Sequence, residues 1–245
     1  MYKQENIKPY SSDEEKGKQV EAMFDNIAPT YDTLNHRMSW NIDRYWRKKA
    51  VRFLQQHHPL HILDVASGTG DFALLMATQL KPEKIVATDI ATQMLEVARQ
   101  KCTQQQLDHI IAFQRDDAMA LSLDDNTFDT VTATFGIRNF PDLEQGLREM
   151  CRVMRPQGQL CILELTTPKN IIARTLFKIY SHTILPLYGR LVAHDKKAYI
   201  YLTKTIDNFP QAETMMETLK KTGFHNPSFK RLTMGICTLY TATKQ

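Results

Sequence analysis

The stretch "LDVASGTGDFA", residues 63–73, sets two carboxyl side chains, Asp64 and Asp71, around two glycines, Gly68 and Gly70. A glycine-rich turn that opens a helix presents bare N–H groups and takes up anions. The string "GTGDFA" also fits the G-x-G-x-x-G/A fingerprint of dinucleotide sites. The flanking acids oppose that use, because they repel a pyrophosphate and so argue against a nicotinamide dinucleotide. They suit a ligand with cationic groups and no phosphate. S-adenosylmethionine, with its ammonium and its sulfonium, is such a ligand.

Further acids follow at regular places. The run "KIVATDI" carries Asp89, nineteen residues after Gly70, where an acid accepts the hydroxyls of a ribose. The run "RDDAMA" brings Asp117, an acceptor for an exocyclic adenine amine, and Ala118, whose backbone N–H meets a ring nitrogen. Each acid alone reads as a turn or helix-cap residue. Placed at successive strand ends, they point to a nucleoside cofactor, because open α/β sheets bind ligands there.

The elements that must position these residues alternate. Strand-like runs are "HILDVA", "KIVATDI", "IIAFQRD", "FDTVTATFG" and "QLCILEL", with helical runs starting near Asp71, Thr92 and Asp142. Such alternation predicts a mostly parallel sheet with helices on both faces. A helix closed by Gly223 follows, and then a hairpin turning at Gly235. Residues 1–19 read as a flexible polar tail, and 20–245 as one domain. That domain includes an N-terminal helical lid over 20–56 and an apolar helical insertion over 169–205.

Composition narrows the class. The protein has 245 residues, 42% apolar and 24% charged, with a net charge of +4. This is ordinary for a globular domain and too weakly basic for a nucleic-acid protein. The four cysteines, Cys102, Cys151, Cys161 and Cys237, are scattered without a CxxC pair. They predict core packing, no metal site, and a reducing compartment such as the cytoplasm. No apolar run reaches the roughly 18–20 residues of a membrane span, and no signal region opens the sequence.

Longer motifs are more specific than the glycine turn. From about residue 20 to 244 the sequence resembles the C-methyltransferases of menaquinone and ubiquinone biosynthesis. The resemblance rests on "YDTLNHRMSWNIDRYW" (31–46), "RVMRPQGQLCILELT" (152–166), "FGIRN" (135–139) and "YLTKTIDNFP" (201–210). Four positions depart from the family pattern. Leu34 stands for Met, Asp43 for His, Gln157 for the first of two glycines, and Thr166 for Ser. Asp43 lacks the titratable imidazole and is given no catalytic role. Gln157 is expected to be tolerated if its φ is negative.

The resemblance implies a class I S-adenosylmethionine-dependent methyltransferase with a Rossmann-like, mostly parallel seven-stranded sheet and a C-terminal antiparallel hairpin. It implies cofactor contacts at Thr69, Asp89, Asp117 with Ala118, and Thr134, beside Gly68, Gly70 and Asp64 from the turn. The implied substrate is a prenylated quinol: demethylmenaquinol, or alternatively the benzoquinol of the ubiquinone pathway. A cofactor-binding module without catalysis is the rival outside enzymes, and the intact "FGIRN" opposes it. A quinol is electron-rich at the carbon ortho to a hydroxyl, most of all when that hydroxyl is ionised. Arg138 is the expected cation for the phenolate, with Asn139 bonding the same ring. The alternative is that Arg138 pairs with Asp142 or caps a helix. Proton acceptors by residue type are Tyr31, Asp32, His36, His194 and Asp195. Residues 171–202 read either as packing on the sheet or as a lid over a greasy substrate. In the second case Arg174, Lys178, Arg190, Lys196 and Lys197 face anionic lipid and hold the protein weakly on the inner face of the cytoplasmic membrane. The oligomeric state stays open, with a homodimer among the options.

Overall fold

Apolar runs bounded by turn residues build the sheet. A computed structural model describes residues 1–10, 12–184 and 196–245. Its strands are β1 (His61–Val65), β2 (Lys84–Asp89), β3 (Ile111–Arg115), β4 (Phe128–Thr134), β5 (Met154–Leu165), β6 (Phe224–Leu232) and β7 (Cys237–Lys244). They lie in the order β3-β2-β1-β4-β5-β7-β6. The first five are parallel, and β7 runs antiparallel to both β5 and β6. The order reverses between β1 and β4, which opens a crevice at the carboxyl ends of these strands. This is the class I methyltransferase sheet that the resemblance implied.

The helices are α1 (Lys16–Ile27), α2 (Tyr31–Met38), α3 (Ile42–Gln55), α4 (Asp71–Leu80), α5 (Thr92–Gln104), α6 (Leu143–Val153), α7 (Ile171–Ile179), α8 (Lys196–Asn208) and α9 (Glu213–Lys221). Helix α6 shows how local sequence sets an element. Asp142 caps it by accepting from the Gln145 N–H at 2.9 Å. Its buried Leu143, Leu147, Met150 and Cys151 recur at helical spacing and meet Phe128, Val131 and Leu160 of the sheet. On the other side, Trp46, Ala50 and Leu54 of α3 join Phe72 and Met76 of α4 in a second apolar cluster. All four cysteines are buried and unbridged.

Two expectations are corrected. The stretch 1–19 is docked rather than loose. Gln4 and Glu5 are buried, and Lys16, also buried, already belongs to α1. Glu5 Oε1 accepts the Leu143 N–H at 2.9 Å, and Lys16 Nζ donates to the carbonyls of Gln4 (2.7 Å) and Phe140 (3.2 Å). Burial lowers the Lys16 pKa to about 8. Polar composition suggested disorder, but these polar groups are the ones that satisfy a helix start and a loop carbonyl. The second concerns the tolerance of Gln157: the condition of a negative φ is not met, because its φ is +64°. That is the left-handed region a glycine enters freely, so the departure from the family pattern carries strain.

Glu5→Ala should lower unfolding free energy by about 1–3 kcal/mol, because the buried Leu143 N–H loses its acceptor. Exposed Glu14→Ala should stay within about 0.5 kcal/mol. Chemical denaturation measures both, and equal, negligible losses would restore the loose tail.

Candidate active site

The site grows from the glycine turn after β1. Gly68 has φ +56°, and a Cβ there would meet nothing within 4 Å, so the backbone faces open space. Gly70 also has a positive φ, but a Cβ there would come 3.1 Å from both Ala98 and Phe113. Its missing side chain serves the seating of α4 against α5 and β3. Asp89, at the end of β2, holds the turn in place. One carboxylate oxygen accepts the Gly68 N–H at 2.8 Å, and the other accepts the Ala91 N–H at 2.9 Å. Burial pushes Asp89 up to about 6, against the pull of these two bonds.

A cavity, the more polar of two, spreads from this turn across the ends of β1, β2, β3 and β4. Gly68, Thr69, Asp89, Asp117, Ala118, Thr134 and Asn139 all line it, together with Asp71 and Asp116. Ser67 Oγ, Thr88 Oγ1 and Asn139 Oδ1 are buried without a hydrogen-bond partner. A wall of carboxylates with idle hydroxyls and open backbone fits a cationic nucleoside, so S-adenosylmethionine passes this test of fit. Ser67, Thr88 and Arg47 also belong to the lining and were missed in the sequence. Thr88 was legible in principle, as the residue before Asp89 in the same strand run.

Two expected contacts are not in the cavity wall. Gly70 is packed as described. Asp64 is fully buried inside the sheet and accepts a 2.6 Å hydrogen bond from Thr132 Oγ1 of β4, its register partner. Its place mid-sheet follows from strand alternation and not from the ligand. Burial pushes its carboxyl up to about 7.

A second, apolar cavity adjoins the first. Trp40, Ile42, Trp46, Leu165, Phe177, Tyr180, Leu202 and Ile206 line it, with Arg138 as a polar member. Its empty volume is about 1080 Å³ including the open mouth. Tyr31, Arg47 and Phe135 line both cavities. Arg138 does not pair with Asp142. Its Nη1 donates to Glu164 Oε1 at 2.8 Å and to the Phe135 carbonyl, and its backbone N–H reaches Glu164 Oε2 at 3.2 Å. Glu164 is fully buried, and Arg138 Nε is buried without a partner.

An ionic network ties α2 and α3 to the turn. Thr69 Oγ1 donates to Asp32 Oδ1, and Lys101 bonds both Asp32, at 2.7 Å, and Asp71. His36 lies between Asp43 (2.9 Å) and Asp71 (3.2 Å), and Arg47 pairs with Asp43. The Asp71 hydrogen bond holds the His36 pKa up against burial. Burial alone would raise Asp71, but His36, Arg47 and Lys101 outweigh it and hold this carboxyl well below the usual range. Ligand atoms of His36, Asp43 and Asp71 lie within 4.8 Å of one another, a spacing a metal could use, but Arg47 and Lys101 already neutralise the two carboxylates. Among the proton acceptors suggested by type, Asp32 and His36 are held in this network. Tyr31 lines both cavities, and burial raises its pKa. His194 and Asp195 lie outside the described residues.

Fold and site together define a class I S-adenosylmethionine-dependent methyltransferase. A model of the ubiE/COQ5 methyltransferase family matches residues 11–244, and the chain belongs to that family. It is 52% identical over 243 residues to a demethylmenaquinone methyltransferase of Bacteroides fragilis, a match that spans 99% of both proteins. It is 40% identical over 241 residues to one from Deinococcus radiodurans, covering 98% of this protein and 99% of that one. Among solved structures the cyclase SpnF superposes with a TM-score of 0.64 at 17% identity, over 93% of this protein and 96% of that one. That likeness is one of fold, since a fold hosts more than one reaction.

The buried acid Asp64 sets a pH dependence. Its folded pKa of about 7 exceeds the ordinary 3.8. Between about pH 4 and 7 the folded protein holds a proton that the unfolded protein has released, so stability falls as pH rises through this window and levels off above it. In a series of denaturation midpoints against pH, Asp64→Asn should flatten that fall. A slope unchanged from wild type would mean that Asp64 is ionised in the fold.

Proposed function

We propose that this protein methylates a ring carbon of a prenylated demethylmenaquinol with S-adenosylmethionine, giving menaquinol. The observation that carries the reading is the pair of adjoining cavities, one polar and rich in carboxylates, the other apolar and large enough for a ring with part of a tail. The names of the relatives in Bacteroides fragilis and Deinococcus radiodurans support the naphthoquinol over the benzoquinol. Cells lacking the protein should accumulate the demethylated naphthoquinone by mass spectrometry. Accumulation of a benzoquinone precursor instead would move the substrate to the ubiquinone pathway.

S-adenosylmethionine supplies an electrophilic methyl group when bound. In this reading Asp89 accepts ribose hydroxyls, Asp117 and Ala118 meet the adenine, and Gly68, Thr69 and Thr134 shape the remaining wall. Arg138 serves the quinol side. Glu164 and the Phe135 carbonyl occupy Nη1 and fix the guanidinium, which leaves Nε for an oxygen of the ring. Glu164 also cancels the net charge of Arg138. Arg138 therefore acts as an oriented donor more than as a free cation. Asn139 lies in the polar cavity, so its contact is with the ring edge nearest the cofactor.

Arg138→Ala should lower single-turnover methyl transfer about 10²–10³-fold with cofactor affinity unchanged. It should also destabilise the fold by about 3–5 kcal/mol, because Glu164 is left buried and unpaired. The double variant Arg138→Met, Glu164→Leu should restore stability and leave the rate low. Recovery of both would make the pair purely structural.

The same reading includes a weak peripheral attachment to the membrane. Ile171, Ile172, Leu176 and Ile179 lie on one face of α7 and are between 55% and 76% exposed. Trp40, 81% exposed, and Ile42 stand at the wall of the apolar cavity. These side chains, more than basic ones, offer contact with lipid. Arg174 is bonded to the carbonyls of Pro168 and Lys169, Lys197 lies 5.8 Å from the centre of the Tyr10 ring, and Arg190 lies outside the described residues. Among the described residues no helix is long and apolar enough to cross a membrane. The double variant Ile172→Glu, Leu176→Glu should lose co-sedimentation with anionic vesicles at both low and high salt, while still binding cofactor. Full retention on vesicles would remove α7 from the attachment.

A further inference from the structure

The polar cavity has an unbalanced wall. Four carboxylates line it, those of Asp71, Asp89, Asp116 and Asp117. Among the described residues that line it, Arg47 is the one cationic residue. S-adenosylmethionine brings two cationic groups and one anion, the carboxylate of its amino-acid end. The ammonium and the hydroxyls find acceptors on every side. The carboxylate faces a wall rich in acids, of which Asp71 is already paired with Lys101, and Arg47 is the guanidinium in that wall that it can meet.

Arg47 is built to receive it. The residue sits on α3, and its side chain is 12% exposed. Its guanidinium lies over the Phe135 ring, 5.1 Å from the centre, which fixes the plane of the fork. Nη1 is held by Asp43, itself bonded by Ser39 Oγ at 2.6 Å and by His36. Nε is buried and has no partner. A buried N–H on a charged group without an acceptor is costly, and an incoming carboxylate would supply the acceptor. Asp43, which stands where the family pattern has His, is thus the group that orients Arg47.

We propose that Arg47 binds the carboxylate of S-adenosylmethionine and so makes the lid part of the cofactor site. Arg47 also lines the apolar cavity, as do its helix neighbours Ile42, Asp43 and Trp46. Seating the cofactor therefore fixes α3 and, with it, one wall of the substrate cavity. Arg138, which lines the apolar cavity alone, remains the donor for the quinol. The inference rests on the cofactor reading given above.

The test is titration calorimetry of the full-length protein with S-adenosylmethionine and with its decarboxylated form, which lacks only the carboxylate. Wild type should prefer the complete cofactor about 10- to 100-fold, the range for a hydrogen-bonded charged pair. Arg47→Met, which keeps the side chain's bulk over Phe135, should bring the two ligands within about threefold of each other, and Arg47→Lys should fall between. Should Arg47→Met fail to fold, the wild-type ratio and the Arg47→Lys ratio still decide. A wild type that binds both ligands equally overturns the inference, as does an Arg47→Met protein that keeps the full preference. A wild type that binds neither ligand overturns the cofactor reading itself.

Discussion

The carboxyl groups at the ends of the parallel strands and beside them must each find a partner, and the rest of the site is arranged around those partners. Asp89 is bonded by two backbone N–H groups, which sets the path of the glycine turn. Glu164 is bonded by the guanidinium and the backbone N–H of Arg138, which sets the loop after β4. Asp64 takes a hydroxyl hydrogen bond, and burial favours its neutral form. A carboxylate removed from water without such compensation would cost several kcal/mol. The dryness that makes these acids expensive is the same dryness that strengthens their pull on a cationic ligand.

The helices α2 and α3 are attached by the same means. α2 contributes Asp32 and His36, α3 contributes Asp43 and Arg47, and the turn and α5 answer with Thr69, Asp71 and Lys101. Charged hydrogen bonds have narrow geometry and set the register of α2 and α3 against the turn, beside the apolar contacts between α3 and α4. Trp46 adds one more tie, donating from Nε1 to Thr233 Oγ1 at 2.8 Å between β6 and β7. The apolar cavity is thus lined by elements from widely separated parts of the sequence.

Backbone strain is present where the two cavities meet. Phe135 has φ +60° and Ala66 has φ +53°, conformations that side chains rarely adopt. A Cβ on Gly136 would lie 2.6 Å from the Ala66 Cβ, so only glycine lets these two loops touch. The outcome is that the Phe135 ring lines both cavities, stacked with Arg47 and 6.0 Å from the Trp46 ring centre. Strain of this kind persists only where the surrounding structure holds it, and here the parallel strands on either side do so.

Much of this protein was legible in the residues alone. Strand and helix alternation is a period read over neighbours, so the five parallel strands, the closing hairpin and the helix starts at Asp71, Thr92 and Asp142 followed from local pattern. So did the placement of Asp89 and Asp117 in one cavity wall, because a strand end is a local feature. Three things were decided only by tertiary contact. Asp64 and Gly70 sit in the same motif as Gly68, yet the first faces Thr132 across the sheet and the second faces Ala98 and Phe113. Arg138 met Glu164 from the next strand and not Asp142 from its own loop. The polar start of the sequence was ordered by a helix end more than a hundred residues away. In each case the partner is distant in sequence, and the free energy of a buried polar group depends on the partner it finds there and not on its own type.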